Sequence, residues 1–466
     1  MRTFAAEMKE TRNDRLGFIG LAALVFGMMV GSGIFNIPQN MAVSASPGAV
    51  LLAWMLTAVG MLFLVYTYKS LSDKHPELNA GIYQYAQRGF GNFAGFNAAW
   101  GYWLCTAFAN VAYVVMLNDS LGAFFPQLLE HGWLTVVFGT IVIWTFFFLV
   151  CSGIKTAKVL TVALSAIKIG IIMLIVLILA IFVKVDVLTL DFWGKLEFGN
   201  IGGVGEQMKN TMMVTLWCFV GIEGAVMMSG RARRSSDVGR AGVVGFFAAW
   251  ILYVLISVLS YGVMPRAELA ELAGPSVAHV LSAVVGEWAY WFVIISIIIS
   301  LTGGLVAWTL ITAEVPYTAA SVGIFPRRFM RLNERRMPAF GLLVSSIVMQ
   351  VFLMLVVAAD DAYLAALNIT GMMVLPAYLA SGLFLLKIAK GRWRWVGFGC
   401  ALYCSWNLWA GGLELIFEST LFYLAGFGIY AWARRQQSPH KAMLTRYETV
   451  ALVALIVMSV FGYIVD

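Results

Sequence analysis

Two short stretches place poor helix formers where a membrane-crossing helix would be expected. The first, "VGSGIFNIPQN" (Val30 to Asn40), continues an apolar run that begins at Leu16 and contains Gly27, Gly31, Ser32, Gly33 and then Pro38. The second, "TLWCFVGIEGA" (Thr215 to Ala225), places Gly221, Glu223 and Gly224 in the middle of another apolar run. Backbone exposed to lipid cannot leave its polar groups unpaired, so irregular segments at that depth survive only against protein or water. A break there has chemical use. The N-terminus of a half-helix offers N–H groups and a positive dipole to a carboxylate, and the freed carbonyls at the C-terminal end of the other half accept from an ammonium. A zwitterionic amino acid fits both ends. The competing reading of the first stretch is packing, because Gly27-Met-Met-Val-Gly31 is also a GxxxG motif.

The elements that must hold these breaks are membrane spans. The 466-residue chain is 61% hydrophobic and only 12% charged, with a mean hydropathy of +0.85, against about 25% charged residues in soluble domains. Apolar runs of bilayer length recur from end to end, at 17–40, 46–70, 92–120, 132–151, 157–183, 206–229, 240–263, 282–317, 338–359, 362–388, 394–411, 414–433 and 447–465. With the N-terminus inside, every Lys and Arg falls on the cytoplasmic side except Lys168, Lys184, Lys195, Lys209 and Arg266. This positive-inside bias sets the orientation and favours an odd number of spans, thirteen. It also accounts for the net charge of +7 without nucleic acid. Loops are too short for a soluble catalytic domain, and the spans carry neither paired aspartates nor a histidine–glutamate metal motif, so an enzyme is not expected. Cys105, Cys151, Cys218, Cys400 and Cys404 all lie in apolar segments, which fits neither a disulfide framework nor a zinc spacing.

Five spans separate the two breaks, and five is odd, so two five-helix halves would enter the membrane from opposite sides. Paired interruptions at corresponding places of inverted halves point to the midplane site of a secondary transporter.

Five stretches together carry a resemblance: "GSGIF" in span one, "TLWCFVGIEGA" in span six, "SGRARRSSDVGRA" in the following inner loop, "NVAY" in span three and "WTLITAEVPYTAASVGIFP" in span eight. Over its first ten spans the chain resembles the amino acid–polyamine–organocation superfamily, and within it the bacterial basic amino acid/polyamine antiporters, such as the arginine/ornithine and arginine/agmatine exchangers. The resemblance implies an all-α polytopic membrane protein with a LeuT-like five-plus-five inverted-repeat core, helices one and six broken, and about 13 transmembrane helices. The divisions expected are a cytoplasmic tail (1–16), a first repeat (17–200), a second repeat (201–388) and peripheral helices (389–466), the last of which match the family poorly.

The resemblance also assigns roles. Ser32 and Gly33 match the carboxylate binders of span one, and the carbonyls of Met29, Trp217 and Val220 match those that accept the α-ammonium. Trp217 stands where relatives have an aromatic gate. Trp308, fifteen residues before Gly323, matches the tryptophan that stacks on a guanidinium. Tyr102, Thr106 and Asn110 fall at further pocket positions. Two departures stand out: Tyr113 replaces the methionine of the arginine/agmatine type, and Tyr378 in "LPAYLA" lies one residue beyond the family's proline–tyrosine pair.

Ionisable groups within spans are costly, roughly 2.5–3.5 kcal/mol each on insertion scales. Lys168 lies where sodium-coupled relatives hold an ion against the first break, which makes it a candidate substitute cation; the plain alternative is snorkelling to the interface. Glu223 sits in the second break as a candidate proton-sensitive group. Glu314, six residues after Trp308, is either a coupling residue or the partner of a neighbouring helix or inner-loop arginine.

The expected function is antiport of basic amino acids of the arginine/ornithine type across the cytoplasmic (inner) membrane by alternating access. The C-terminus would be extracytoplasmic, no metal or organic cofactor is implied, and the partners are amino acid and amine substrates, the bilayer and a second copy in a homodimer. Alternatives are exchange of an amino acid for its decarboxylated amine (arginine/agmatine or histidine/histamine), proton-coupled uptake, and a non-transporting nutrient receptor.

Overall fold

The computed structural model describes residues 17–78, 80–130, 132–195, 201–227, 229, 232–359, 362–437 and 444–465, without the side chains of 154–166, 235 and 461–465. The expected tail, 1–16, and the C-terminal Asp466 lie outside the described residues.

The architecture is helical. In chain order the elements are α1 (Phe18–Met29), α2 (Gly33–Ala42), α3 (Pro47–Lys74), α4 (Ile82–Phe90), α5 (Asn92–Gly122), α6 (Trp133–Cys151) and α7 (Ile154–Phe182). There follow α8 (Val204–Phe219), α9 (Gly224–Met227), α10 (Ser235–Tyr261), α11 (Arg266–Glu271), α12 (Ser276–Val285) and α13 (Glu287–Ser321). The chain ends with α14 (Ala339–Val356), α15 (Ala362–Ile388), α16 (Arg392–Ala425), α17 (Phe427–Gln437) and α18 (Arg446–Val465). Among the described residues nine helices are long and apolar enough to cross a membrane, and α1 with α2, bent by 42°, makes up to ten. Within α16, Gly412 has φ 87° and divides the helix between the eleventh and twelfth spans read from the sequence.

Burial sorts these helices. The apolar stretch of α5 is wholly buried, and that of α8–α9 is 89% buried, whereas α6 is 28% buried and the Arg392–Gln437 segment 22%. A helix apolar on all sides gives no amphipathic signal of which face is inside, so the inner position of α5 comes from its small residues. At Gly101 an added Cβ would lie 2.0 Å from the Tyr423 hydroxyl and 2.6 Å from the Met373 carbonyl. Close approach of helices in lipid depends on such positions.

Short helices lie in connections that the sequence reading left as loops, among them α4 between α3 and α5, a five-residue helix (Val185–Thr189) after α7, and α11 and α12 between α10 and α13. They are too short to span, and their partners explain them. Both α11 and α12 pack on α2, where Arg266 donates to the Ala42 carbonyl at 3.0 Å and the Ser276 N–H donates to Asn36 Oδ1 at 3.0 Å.

Candidate substrate site

The two irregular segments cross. Residues 30–32 separate α1 from α2, and residues 220–223 separate α8 from α9. Gly221 has φ 111°, and a Cβ there would lie 2.9 Å from Met28 Cβ and 3.1 Å from the Met28 carbonyl carbon. Only glycine accepts both that conformation and that approach.

Each break leaves helix-end groups that need partners. At the end of α1, Lys168 Nζ donates to the carbonyls of Gly27 at 2.9 Å and Val30 at 2.5 Å, so the cation of α7 closes the C-terminal end of the first half-helix. At the start of α2, Ser32 forms no side-chain cap, and its hydroxyl instead accepts from the Tyr363 hydroxyl at 3.3 Å. The first N–H groups of α2 are therefore not claimed by a cap.

A small cavity lies against both breaks. The first contributes Met28, Met29, Gly31, Ser32 and Gly33, and the second Trp217, Cys218 and Val220. Tyr113 of α5, Tyr253 of α10 and Trp308 of α13 complete the wall. No lining residue is charged. The cavity wall is thus made by the two breaks, with aromatic rings from three further helices.

Of the residues expected at the site, Met29, Ser32, Gly33, Trp217, Val220 and Trp308 line this cavity. The Met29 carbonyl also accepts the Tyr253 hydroxyl at 2.7 Å, which leaves one lone pair. The other expected residues lie elsewhere. Asn110 donates to the Thr106 carbonyl at 2.8 Å and to Thr312 Oγ1 at 3.1 Å, and accepts from Thr309 at 3.0 Å, so it joins α5 to α13. Glu223 is fully buried: Tyr102 donates to its Oε1 at 2.9 Å, Tyr378 to its Oε2 at 2.5 Å, and the Gly221 N–H reaches both oxygens at 3.1 and 3.2 Å. Glu314 is on the stretch of α13 that meets α4, where Tyr83 donates to the Val315 carbonyl at 3.4 Å.

Tyr253 and Tyr363 are site residues that sequence reasoning missed. Both sit in apolar spans outside any motif. The available signal was chemical, since a buried tyrosine hydroxyl seeks an acceptor and a broken helix supplies some.

A bundle of apolar helices with two crossing breaks around an uncharged cavity defines a multi-pass membrane transporter. An amino acid permease family model matches residues 16–462, and the chain belongs to that family, within the amino acid–polyamine–organocation superfamily. It is 39% identical to an arginine/agmatine antiporter of Chlamydia trachomatis serovar L2 over 473 residues, covering 97% of this chain and 98% of that one. It is also 39% identical to an arginine/agmatine antiporter of Chlamydia felis over 475 residues, with the same coverage. Among solved structures it is similar in fold to a Na+-coupled sialic acid symporter in a substrate-bound outward-open state, with a TM-score of 0.54 and 13% identity, covering 87% of this chain and 90% of that one. The protein is a transporter and not an enzyme.

Proposed function

We propose that the protein is an antiporter that exchanges a basic amino acid for a second amino acid or a decarboxylated amine by alternating access. The observation that carries this reading is the crossing of the two breaks at Gly221 and Met28, with the cavity beside it. The substrate carboxylate meets the N–H groups at Ser32 and Gly33, and its α-ammonium meets the carbonyls of Met29, Trp217 and Val220. Trp217 closes over it. Trp308 presents an aromatic face to the side chain. Tyr102 and Asn110 act from behind the wall, one through Glu223 and the other through α13. Lys168, Glu223 and Glu314 couple movement of the breaks to the rest of the bundle. The names of the chlamydial relatives support an antiporter of an amino acid and an amine, and the ornithine-type pairing stands beside it. On this reading the protein lies in the inner membrane with its N-terminus cytoplasmic and its C-terminus outside, as two repeats (17–200 and 201–388) and peripheral helices that offer a surface for a homodimer.

Counterflow in proteoliposomes tests the proposal. Vesicles are loaded with one unlabelled basic amino acid or amine, and entry of labelled amino acids and amines is ranked. Uptake into empty vesicles equal to that into loaded ones rules out exchange.

A further inference from the structure

We propose that the turn between α15 and α16 holds the headgroup of an anionic phospholipid whose acyl chains run along the outer face of α16. The site lies apart from the substrate cavity and stands whatever the protein exchanges.

The turn is short and tied down. Only residues 389–391 separate Ile388, the end of α15, from Arg392, the start of α16, and both helices belong to segments apolar enough to cross a membrane. Lys387 Nζ donates to the Gly89 carbonyl at 2.8 Å and lies 5.5 Å from the centre of the Phe90 ring, which fixes the turn against the end of α4. The C-terminal end of α3 reaches the same place. Lys74 Nζ lies 5.2 Å from the centre of the Trp393 ring, and Arg392 Cζ lies 5.4 Å from it. Two cations from different helices thus share one indole.

The acids beside Lys74 are already taken. Asp73 pairs with Lys69 at 2.6 Å, and Glu77 with His75 at 3.1 Å. Among the described residues no carboxylate lies within ion-pair distance of Lys74, Lys387, Lys390, Arg392 or Arg394, and all five are exposed. An indole face attracts a cation, but two cations drawn to one ring repel each other, and a bound anion removes that repulsion. Basic pockets between helices at a membrane face take anionic headgroups, and the guanidinium fork matches phosphate oxygens.

A second observation decides between a lipid and a free phosphate. Trp395, Phe398 and Leu402 are 71%, 47% and 60% exposed, and they continue from Arg392 at three- and four-residue steps along one face of α16. In a helix of bilayer length such a face meets acyl chains. Trp393 and Trp395 stand at the end of the span, where indoles gather at the headgroup boundary. A free phosphate would use the cations and leave this stripe idle, whereas a phospholipid uses both.

The experiment uses the full-length protein in detergent, titrated with phosphatidylglycerol or phosphatidylcholine of identical chains and read by native mass spectrometry. Phosphatidylglycerol should be retained about tenfold or more over phosphatidylcholine. A basic residue at an anionic surface is worth about fivefold, so Arg392→Gln should cut the ratio by about that factor, and Lys74→Gln with Arg392→Gln should bring it close to one. Arg435→Gln removes an exposed cation at the end of α17 and should leave the ratio unchanged. Excess glycerophosphoglycerol, the same headgroup without chains, should not displace the lipid. Equal retention of the two lipids by the wild type overturns the proposal, as does an unchanged ratio in a folded Arg392→Gln variant. An equal loss in Arg435→Gln would mean a diffuse charge effect, and displacement by the free headgroup a soluble-phosphate site; either overturns it. A dimer that carries no lipid and dissociates in the double variant would make this face an interface between copies, and also overturns it.

Discussion

Lys168 and Val30 are 138 residues apart, yet the ammonium of one bonds the carbonyl of the residue that follows the half-helix α1 at the first break. The same ammonium bonds the Gly27 carbonyl, one turn earlier. A cation at a helix C-terminus satisfies orphan carbonyls and opposes the negative end of the dipole, and here the side chain is 2% exposed. The position that needs positive charge is thus filled covalently, by the chain.

The first prediction follows from that contact. Exchange should be unchanged when sodium is replaced by choline, because the cation at the break is part of the protein. Lys168→Ala removes it and leaves two buried carbonyls unpaired, a loss of about 1–3 kcal/mol for each, so turnover should fall by roughly tenfold or more. Proteoliposome exchange in both salts checks it. A steep sodium dependence in the wild type contradicts the assignment.

The second prediction concerns Gly33. An added Cβ would lie 3.0 Å from both Cδ1 and Nε1 of Trp217. Gly33→Ala therefore forces the Trp217 ring aside by a few tenths of an ångström. Gly33→Val adds two methyl groups at the carboxylate end and should abolish binding while the protein still inserts and purifies. Ligand binding beside size-exclusion behaviour separates the two effects. Normal binding with altered assembly would mean that the glycines serve helix packing.

The third prediction uses the ring of Trp308. A cation over an indole face gains about 0.5–2 kcal/mol, and about 1.4 kcal/mol is tenfold in affinity. Trp308→Leu should weaken a basic amino acid several-fold or more and a neutral aliphatic one much less. Competition binding with both substrates checks the difference. Equal losses would reduce Trp308 to a shaping role.

The sequence made the breaks legible because glycine at membrane depth has few explanations, and it made Lys168 legible because a mid-span charge demands one. The inner position of α5 was harder to read. Its run from Asn92 to Gly122 has no face markedly more apolar than another, so no periodicity separates a central helix from a lipid-facing one, and contacts such as Gly101 against Tyr423 show it. The short helices α4, α11 and α12 escaped for a different reason: they are fixed by tertiary partners, as when Arg266 reaches the end of α2. Tyr113 was visible as a departure from a pattern, but its placement was not, because that depends on Gly31 and Gly304 meeting the same ring.

Glu223 supports the last prediction. Three groups converge on its carboxylate: the hydroxyls of Tyr102 and Tyr378 and the N–H of Gly221. An ionised carboxylate accepts from all of them, whereas a protonated one must donate, so one tyrosine has to turn its hydroxyl away. Because Tyr102 belongs to α5, Tyr378 to α15 and Gly221 to the second break, protonation loosens the tie between that break and two helices of the bundle. In a low-dielectric site such a change is worth kilocalories, enough to shift a conformational equilibrium. Glu223→Gln keeps the shape and removes the titration. It should insert normally, lower the turnover of basic substrates and flatten the dependence of exchange on pH. Exchange rates of wild type and variant measured from about pH 5 to 8 decide the matter. Parallel profiles with a common midpoint would make Glu223 a structural partner of the two tyrosines and place the proton-sensitive step at another group.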